Sequence, residues 1–130
     1  MNIRDRLVSS LLLVPYVPGG RGFSGADCWG IVEIWFLRTM GIELCDRGGF
    51  EPGPDSLQVW SEASRPWNEI KEPKDDSIVT MRSGRLEAGH VGIVYDNHVM
   101  HTSSGQGPTF EPLTSRRISF RITNFLEYAP

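Results

Sequence analysis

Apolar residues recur at helical spacing in two stretches near the start of the chain. In the first stretch, Leu7, Leu11 and Val14 fall on one side of a helix. Asn2 stands where a side chain caps the first turn of that helix, and Pro15 ends the pattern. We therefore predict a short amphipathic helix at the N-terminus, with its apolar side turned toward the core.

The second stretch, residues 28–40, is predicted to be a more apolar helix. Asp27 precedes it as an N-cap whose carboxylate accepts a backbone N–H, and Gly41 follows it as the left-handed residue that ends many helices. This helix would begin at a cysteine. The apolar residues that support it are Ile31, Val32 and Trp35.

After the helices the pattern changes to that of strands. Residues 45–56 are rich in Gly, Pro and Asp and are predicted to be a loop, and residues 57–63 a short helix. Asp96-Asn97 offers a tight hairpin turn, and residues 103–108 a second turn region. Helices followed by an antiparallel sheet indicate the α+β class, with N-terminal helices packed on the sheet. The predicted strands cover residues 78–81, 91–95, 98–101 and 118–122.

Length and charge narrow the possible functions. A chain of 130 residues fits one domain, 1–130, and a formal net charge of −3 provides no large positive surface for nucleic acid. No apolar run approaches the ~18 residues that cross a bilayer, so we expect no membrane span. Arg4, Arg6 and the apolar residues 7–14 resemble a secretion signal, but no small-residue cleavage site follows. We therefore expect a chain that is cytoplasmic as made.

The clearest chemical signal is Cys28, at the predicted start of the second helix. A thiol there feels the positive end of the helix dipole and unpaired backbone N–H groups, so we expect its pKa to lie below the usual ~8.5. His90 and His101 lie far downstream, in predicted strands. An imidazole beside the thiol would act as its base, and a second polar group would orient that base. These three residues are the candidate catalytic residues.

The two histidines are predicted to meet across the hairpin. A turn at Asp96-Asn97 places residue 92 opposite His101, so His90 becomes a diagonal neighbour within side-chain reach. His98 has the opposite parity along the strand and is expected to be exposed. Zinc binding by the two histidines and Asp96 is a weaker alternative, because a well-spaced third ligand is missing. We expect neither a metal nor a cofactor.

The two cysteines are too few for a disulfide framework. A bridge between Cys28 and Cys45 stays open as an alternative, and it would block the proposed nucleophile. Otherwise Cys45 is expected to be a small buried apolar residue.

Four pieces of the sequence resemble the NlpC-type cysteine peptidases of bacterial cell-wall metabolism. They are Tyr16-x-x-Gly19-Gly20, Asp27-Cys28-Trp29-Gly30, Gly89-His90-Val91-Gly92-Ile93 and His101. The resemblance implies a compact papain-like fold and cleavage of γ-D-glutamyl to diamino-acid linkages in peptidoglycan peptides. It makes Cys28 the nucleophile, His90 the general base and His101 the polar group that orients His90.

The resemblance also implies residues that contact the substrate. Tyr16 matches a tyrosine thought to help bind substrate or the developing oxyanion. Asp27 matches an acid that makes either a substrate-amine or a helix-capping contact. Trp29, beside the nucleophile, either forms a wall of the substrate pocket or packs in the core.

The Asp-Cys-Trp-Gly form is similar to that of a phage-tail-associated branch of the family, whereas cell-wall enzymes read Asp-Cys-Ser-Gly. The expected partners are a peptidoglycan peptide and phage tail proteins, with delivery to the cell wall through a virion or another route. Two alternatives stay open: a noncatalytic tail-assembly binding module with the same fold, and a related thiol acyltransferase.

Overall fold

The computed structural model describes residues 2–44, 67–84 and 86–129. Within them, two helices precede a six-stranded antiparallel sheet whose strand order is β3-β8-β4-β5-β6-β7, so the α+β class is confirmed. A small hairpin of β1 and β2 lies between the helices along the chain. The elements are α1 (Ile3–Leu11), β1 (Arg21–Gly22), β2 (Gly25–Ala26), α2 (Cys28–Met40), β3 (Trp67–Ile70), β4 (Ile78–Ser83), β5 (Leu86–Tyr95), β6 (His98–Ser103), β7 (Gly107–Pro112), a 3-10 helix (Ser119–Arg121) and β8 (Ile122–Tyr128).

Helix α1 is capped as its sequence predicts. The Asn2 side chain accepts a hydrogen bond from the backbone N–H of Asp5 at 2.9 Å. The helix ends at Leu11, and a turn follows before Pro15. The apolar side of this segment is buried, as expected: Leu7, Leu11 and Val14 all belong to the core.

Helix α2 forms the centre of the larger core. The Asp27 carboxylate accepts the N–H of Gly30 at 2.8 Å, and Gly41 ends the helix at a φ of 68°. Buried side chains of α2 pack with Val91, Ile93 and other apolar residues of the sheet. The first residue of α2 is thereby held against the sheet.

The hairpin of β5 and β6 has the predicted register. Asp96 and Asn97 both adopt positive φ, at 52° and 57°, as a tight two-residue turn requires. The pairing runs from Tyr95 opposite His98 to Ile93 opposite Met100. Beyond that last pair the described pairing of β5 with β6 stops, whereas β5 still pairs with β4 and β6 still pairs with β7. We call the place where this pairing stops the β5–β6 notch; it includes residues 90–92 and 101–103.

The predicted strand at residues 118–122 is wrong. Ile118 is buried at the start of the 3-10 helix, and β8 begins only at Ile122. The backbone of this segment bonds locally, with the N–H of Ser119 donating to Ser115 at 2.9 Å. The apolar alternation is misleading here because Phe120 is 78% exposed and does not share a buried face with its neighbours.

Other differences concern the turn before β7, strand β3 at the sheet edge and the burial of His98. The turn expected over 103–108 is shorter, because β7 already begins at Gly107. Strand β3 was not predicted; its Trp67 packs edge-on against Phe36 of α2 with ring centroids 5.4 Å apart. His98 is half-buried rather than exposed, because its ring stacks on Phe110.

The loop predicted over 45–56 and the helix predicted over 57–63 lie outside the described residues. Among the described residues, no helix has the length and apolar character needed to cross a membrane.

Two glycines let the loop after α1 approach the start of α2. A Cβ atom on Gly30 would collide with the backbone carbonyl of Gly20, and one on Gly20 would collide with Gly25. The backbone of Tyr16 forms a parallel bridge with Ala26 in the same region. Close backbone packing therefore sets the position of the loop beside Cys28.

We predict that Gly30→Ala lowers the free energy of unfolding by about 1 to 3 kcal/mol, because the new methyl group overpacks the site. Gly22→Ala is the matched control, since a Cβ there meets nothing within 4 Å. The control should change stability by less than about 0.5 kcal/mol in urea unfolding. Equal stabilities of the two variants would contradict this account of the loop.

Candidate active site

Cys28 is the first residue of α2 and its side chain is buried, with 5% exposure. The backbone N–H groups of Trp29 and Val91 are near enough to the sulfur to favour its thiolate form. Val91 belongs to β5 and directly follows His90. The thiol therefore contacts the sheet at the β5–β6 notch, one residue along the chain from the candidate base.

The expected lowering of the thiol pKa is wrong for this resting structure. Burial raises the pKa of Cys28 to about 12, and the negative charge of Asp27 acts in the same direction. The N–H groups of Val91 and Trp29 and the charge of Arg21 oppose this shift but are outweighed. The helix N-terminus is thus insufficient to ionise a thiol that water does not reach.

Asp27 is 1% exposed and is occupied by contacts within the protein. Its carboxylate accepts N–H groups from Gly19 at 3.0 Å and from Gly30 at 2.8 Å. The Arg21 guanidinium lies 2.6 Å from the same carboxylate and also 2.6 Å from Glu33. Of the two contacts considered for Asp27, the structure forms the helix cap, and it ties the preceding loop to α2.

His90 and His101 meet across the notch, as the hairpin register predicts. Nε2 of His90 lies 2.7 Å from Nδ1 of His101. Both rings are buried, with 6% and 3% exposure. Gly92 makes room for this diagonal contact, because a Cβ there would approach the Cβ of His101 to 3.0 Å. The absence of a side chain at residue 92 therefore allows the two imidazoles to bond directly.

Sequence reasoning missed Glu111, which lies behind His101. Nε2 of His101 is 2.9 Å from Oε2 of Glu111. Glu111 is paired with Val99 across β6 and β7, so it is a diagonal neighbour of His101. The same register argument that joined His90 to His101 would have found it. Strand β7 was not predicted, however, and part of it was assigned to a turn.

Burial keeps the histidine pair neutral. It lowers the pKa of His90 to about 3, and the nearby His101 and Arg121 add to the effect. Burial also lowers the pKa of His101, although Glu111 opposes that shift. At neutral pH both imidazoles are therefore uncharged, and so is the thiol of Cys28.

The remaining candidate residues lie around Cys28. Tyr16 is half-buried. Its backbone forms a bridge with Ala26, which lies two residues before the start of α2. Trp29 is 4% exposed and belongs to the core, which fits the packing alternative. Cys45 lies outside the described residues. Within the described part of the chain, no three His, Cys, Asp or Glu side chains are arranged to hold a metal ion.

Comparison with known proteins identifies the family. The sequence profile of the NlpC/P60 family matches residues 13–127. The chain belongs to the NlpC/P60 family. No curated protein matches the chain.

Solved NlpC/P60 structures share the fold. The NlpC/p60 domain of the peptidoglycan hydrolase SagA is 18% identical with a TM-score of 0.64, and the match covers 98% of this chain and 99% of that domain. An NLP/P60 protein similar to lipoprotein from Staphylococcus aureus is 21% identical with a TM-score of 0.65, over 98% of this chain and 40% of the other. A Bacillus cereus family protein is 18% identical with a TM-score of 0.68, over 97% and 40%. This NlpC/P60 chain thus spans about two fifths of the last two proteins.

We predict that the neutral burial of His90 makes the protein acid-labile. Between pH about 6.5 and about 3 the unfolded chain binds a proton at His90 that the native state excludes, so stability falls as the pH drops. His90→Gln should remove a part of that fall on the order of a few kcal/mol in urea unfolding at several pH values.

The matched control is His98→Gln, at the half-buried histidine on the same hairpin. It should leave the acid dependence of wild type in place. A His90→Gln curve with the full wild-type slope would show that His90 is not buried as a neutral ring.

Proposed function

We propose that this NlpC/P60 domain is a cysteine hydrolase that cleaves amide bonds in peptidoglycan peptides. In this proposal Cys28 is the nucleophile, His90 the general base and His101 the group that orients His90. The observation that carries it is the buried histidine pair at the notch, beside the backbone N–H of Val91 that reaches the Cys28 sulfur. Family membership and the fold shared with the domain of a peptidoglycan hydrolase support the substrate class.

The neutral resting site favours proton transfer during attack over a pre-formed ion pair. Nε2 of His90 is engaged with His101, so Nδ1 is the ring nitrogen that would take the proton of the Cys28 thiol. The sulfur attacks the carbonyl carbon as that proton leaves. A tetrahedral intermediate forms, and its oxyanion faces the N-terminus of α2, where the backbone N–H of Cys28 donates. The Tyr16 hydroxyl is the proposed second donor.

The reaction then completes in three further proton transfers. The intermediate collapses with cleavage of the C–N bond, and the proton on His90 passes to the leaving amine. The product is a thioester on Cys28. His90 next takes a proton from water, the hydroxyl oxygen attacks the thioester carbonyl, and the thiol regains its proton as the carboxylic acid is released. Burial of the site keeps other water away during the first half of the reaction.

We further propose that the domain acts with phage tail proteins, which would deliver it to the cell wall. This part of the proposal rests on the Asp-Cys-Trp-Gly motif of residues 27–30. It fits a chain in which a bulky, buried Trp29 replaces the serine of the cell-wall enzymes.

A noncatalytic binding module is the second candidate, and one observation favours it. The thiol pKa of about 12 leaves Cys28 protonated at neutral pH, as in an ordinary buried cysteine. A module of this kind would bind peptidoglycan peptides without cleaving them. Activity measurements separate the two candidates.

We predict that the wild-type protein cleaves γ-D-glutamyl to diamino-acid bonds in muropeptides and that Cys28→Ala abolishes cleavage. His90→Ala should lower kcat/KM by roughly 100-fold or more, because general-base catalysis is lost. Cleavage is followed by separation of the products and mass spectrometry.

His98→Ala is the matched control and should retain wild-type activity. Equal cleavage by wild type and Cys28→Ala, or none by either, would overturn the hydrolase proposal. The second of these outcomes, combined with muropeptide binding, would establish the binding module. Transfer of the acyl group to an added amine in preference to water would indicate an acyltransferase.

A further inference from the structure

Glu111 ends the line of buried hydrogen bonds that begins at His90. Its Oε2 accepts from His101 at 2.9 Å and from the Thr109 hydroxyl at 3.0 Å. Its Oε1 accepts from the Ser115 hydroxyl at 2.9 Å and lies 3.6 Å from Nε of Arg117. The side chain is only 12% exposed. The carboxylate is thus held in one orientation by partners on both oxygens.

The carboxylate of Glu111 is ionised at neutral pH. Burial on its own would raise its pKa, but hydrogen bonds from His101, Ser115 and Thr109 together lower it. An ionised carboxylate has no proton to donate. The proton in the contact between His101 and Glu111 must therefore lie on Nε2 of His101.

This placement fixes the protons of both rings. A neutral His101 that carries its proton on Nε2 has a bare Nδ1, so the 2.7 Å contact must use the N–H of His90 Nε2. A neutral His90 protonated at Nε2 has its lone pair on Nδ1. Glu111 thus determines, through two hydrogen bonds, which nitrogen of His90 can accept a proton.

We propose that Glu111 is a positioning residue that fixes the tautomers of His90 and His101 and leaves Nδ1 of His90 as the proton acceptor for Cys28. The assignment rests on the proposed hydrolase function for its catalytic consequence. A carboxylate that orients a catalytic imidazole through its second nitrogen has the same effect in the Ser-His-Asp triad. Here the orienting charge acts through an intervening imidazole.

Glu111 also opposes the positive charges around the pair. Arg121, the last residue of the 3-10 helix, disfavours protonation of both histidines, and Arg117 disfavours protonation of His101. When His90 takes the thiol proton, positive charge appears in this setting. Glu111 is the carboxylate that contacts the pair, so it would stabilise that charge by sharing a proton through His101.

The proposal is tested by determining which ring nitrogen carries the proton in His90 and in His101. Nitrogen-15 NMR of the imidazole rings at neutral pH identifies the protonated nitrogen in wild type, Glu111→Leu and Glu111→Gln. In wild type we expect the proton of both His90 and His101 on Nε2. In Glu111→Leu the acceptor is gone, so both rings should shift toward the Nδ1–H form. Protonation of either wild-type ring at Nδ1, or unchanged tautomers in Glu111→Leu, would overturn the proposal.

Glu111→Gln covers the case in which Glu111→Leu fails to fold, because Gln keeps the shape of the side chain and an acceptor oxygen. The pKa of His101 should fall further in this variant, since Glu111 raises it through the hydrogen bond and the charge. An unchanged pKa of His101 would overturn the proposal. Glu127→Gln is the matched control, because Glu127 pairs with Lys74 at 2.9 Å in an exposed position and should leave both rings as in wild type.

Kinetics separate this inference from the proposed function. In Glu111→Leu, kcat on muropeptides should fall roughly 10- to 100-fold while KM changes less than about 2-fold, as expected for a residue that acts through the base. A rise in KM at constant kcat would overturn the positioning role. Absence of cleavage by wild type would refute the hydrolase proposal alone, because the NMR spectra would still decide the role of Glu111.

Discussion

The hydrogen bond between His90 and His101 is the contact on which the arrangement of this site depends, and it lies just beyond Ile93 and Met100, the last described pair of β5 and β6. If β5 and β6 stayed paired to their ends, their facing backbone groups would bond to each other. Because the described pairing stops before Val91, the backbone N–H of Val91 faces the Cys28 sulfur instead of β6. Gly92 removes the side chain that would separate the rings. The end of the β5–β6 pairing thus lies where β5 meets the start of α2 and where the two imidazoles bond to each other.

Burial governs the chemistry of this arrangement. It holds Cys28 as a thiol and both histidines as neutral rings, so charge develops only when a reaction moves a proton. Hydrogen bonds from fixed partners then decide which atom receives that proton. The same burial excludes water, which explains why a thiol at a helix N-terminus is not ionised here.

The sequence predicted the parts of the structure that local rules govern. Asp27 and Gly41 mark the ends of α2, and the turn at Asp96-Asn97 sets the register that joins the two histidines. Two errors came from properties that only tertiary packing decides. Burial outweighed the helix dipole at Cys28. Glu111 was missed because β7 was not predicted and its first residues were assigned to a turn. The pairing register located His101 because the hairpin that carries it was predicted. It could not locate Glu111, because the edge strand β7 was not predicted.

The proposed chemistry depends on transfer of the Cys28 proton to His90, and iodoacetamide alkylation across pH 4 to 9 measures the effect of that transfer. A pKa of about 12 leaves little thiolate in this range, so in the proposed mechanism His90 speeds the reaction of Cys28 by taking its proton. Peptide mapping separates Cys28 from Cys45, the second cysteine of the chain. We expect wild-type Cys28 to react faster than Cys28 in His90→Ala throughout the acidic half of the range. Superimposable pH profiles of Cys28 in the two proteins would contradict it.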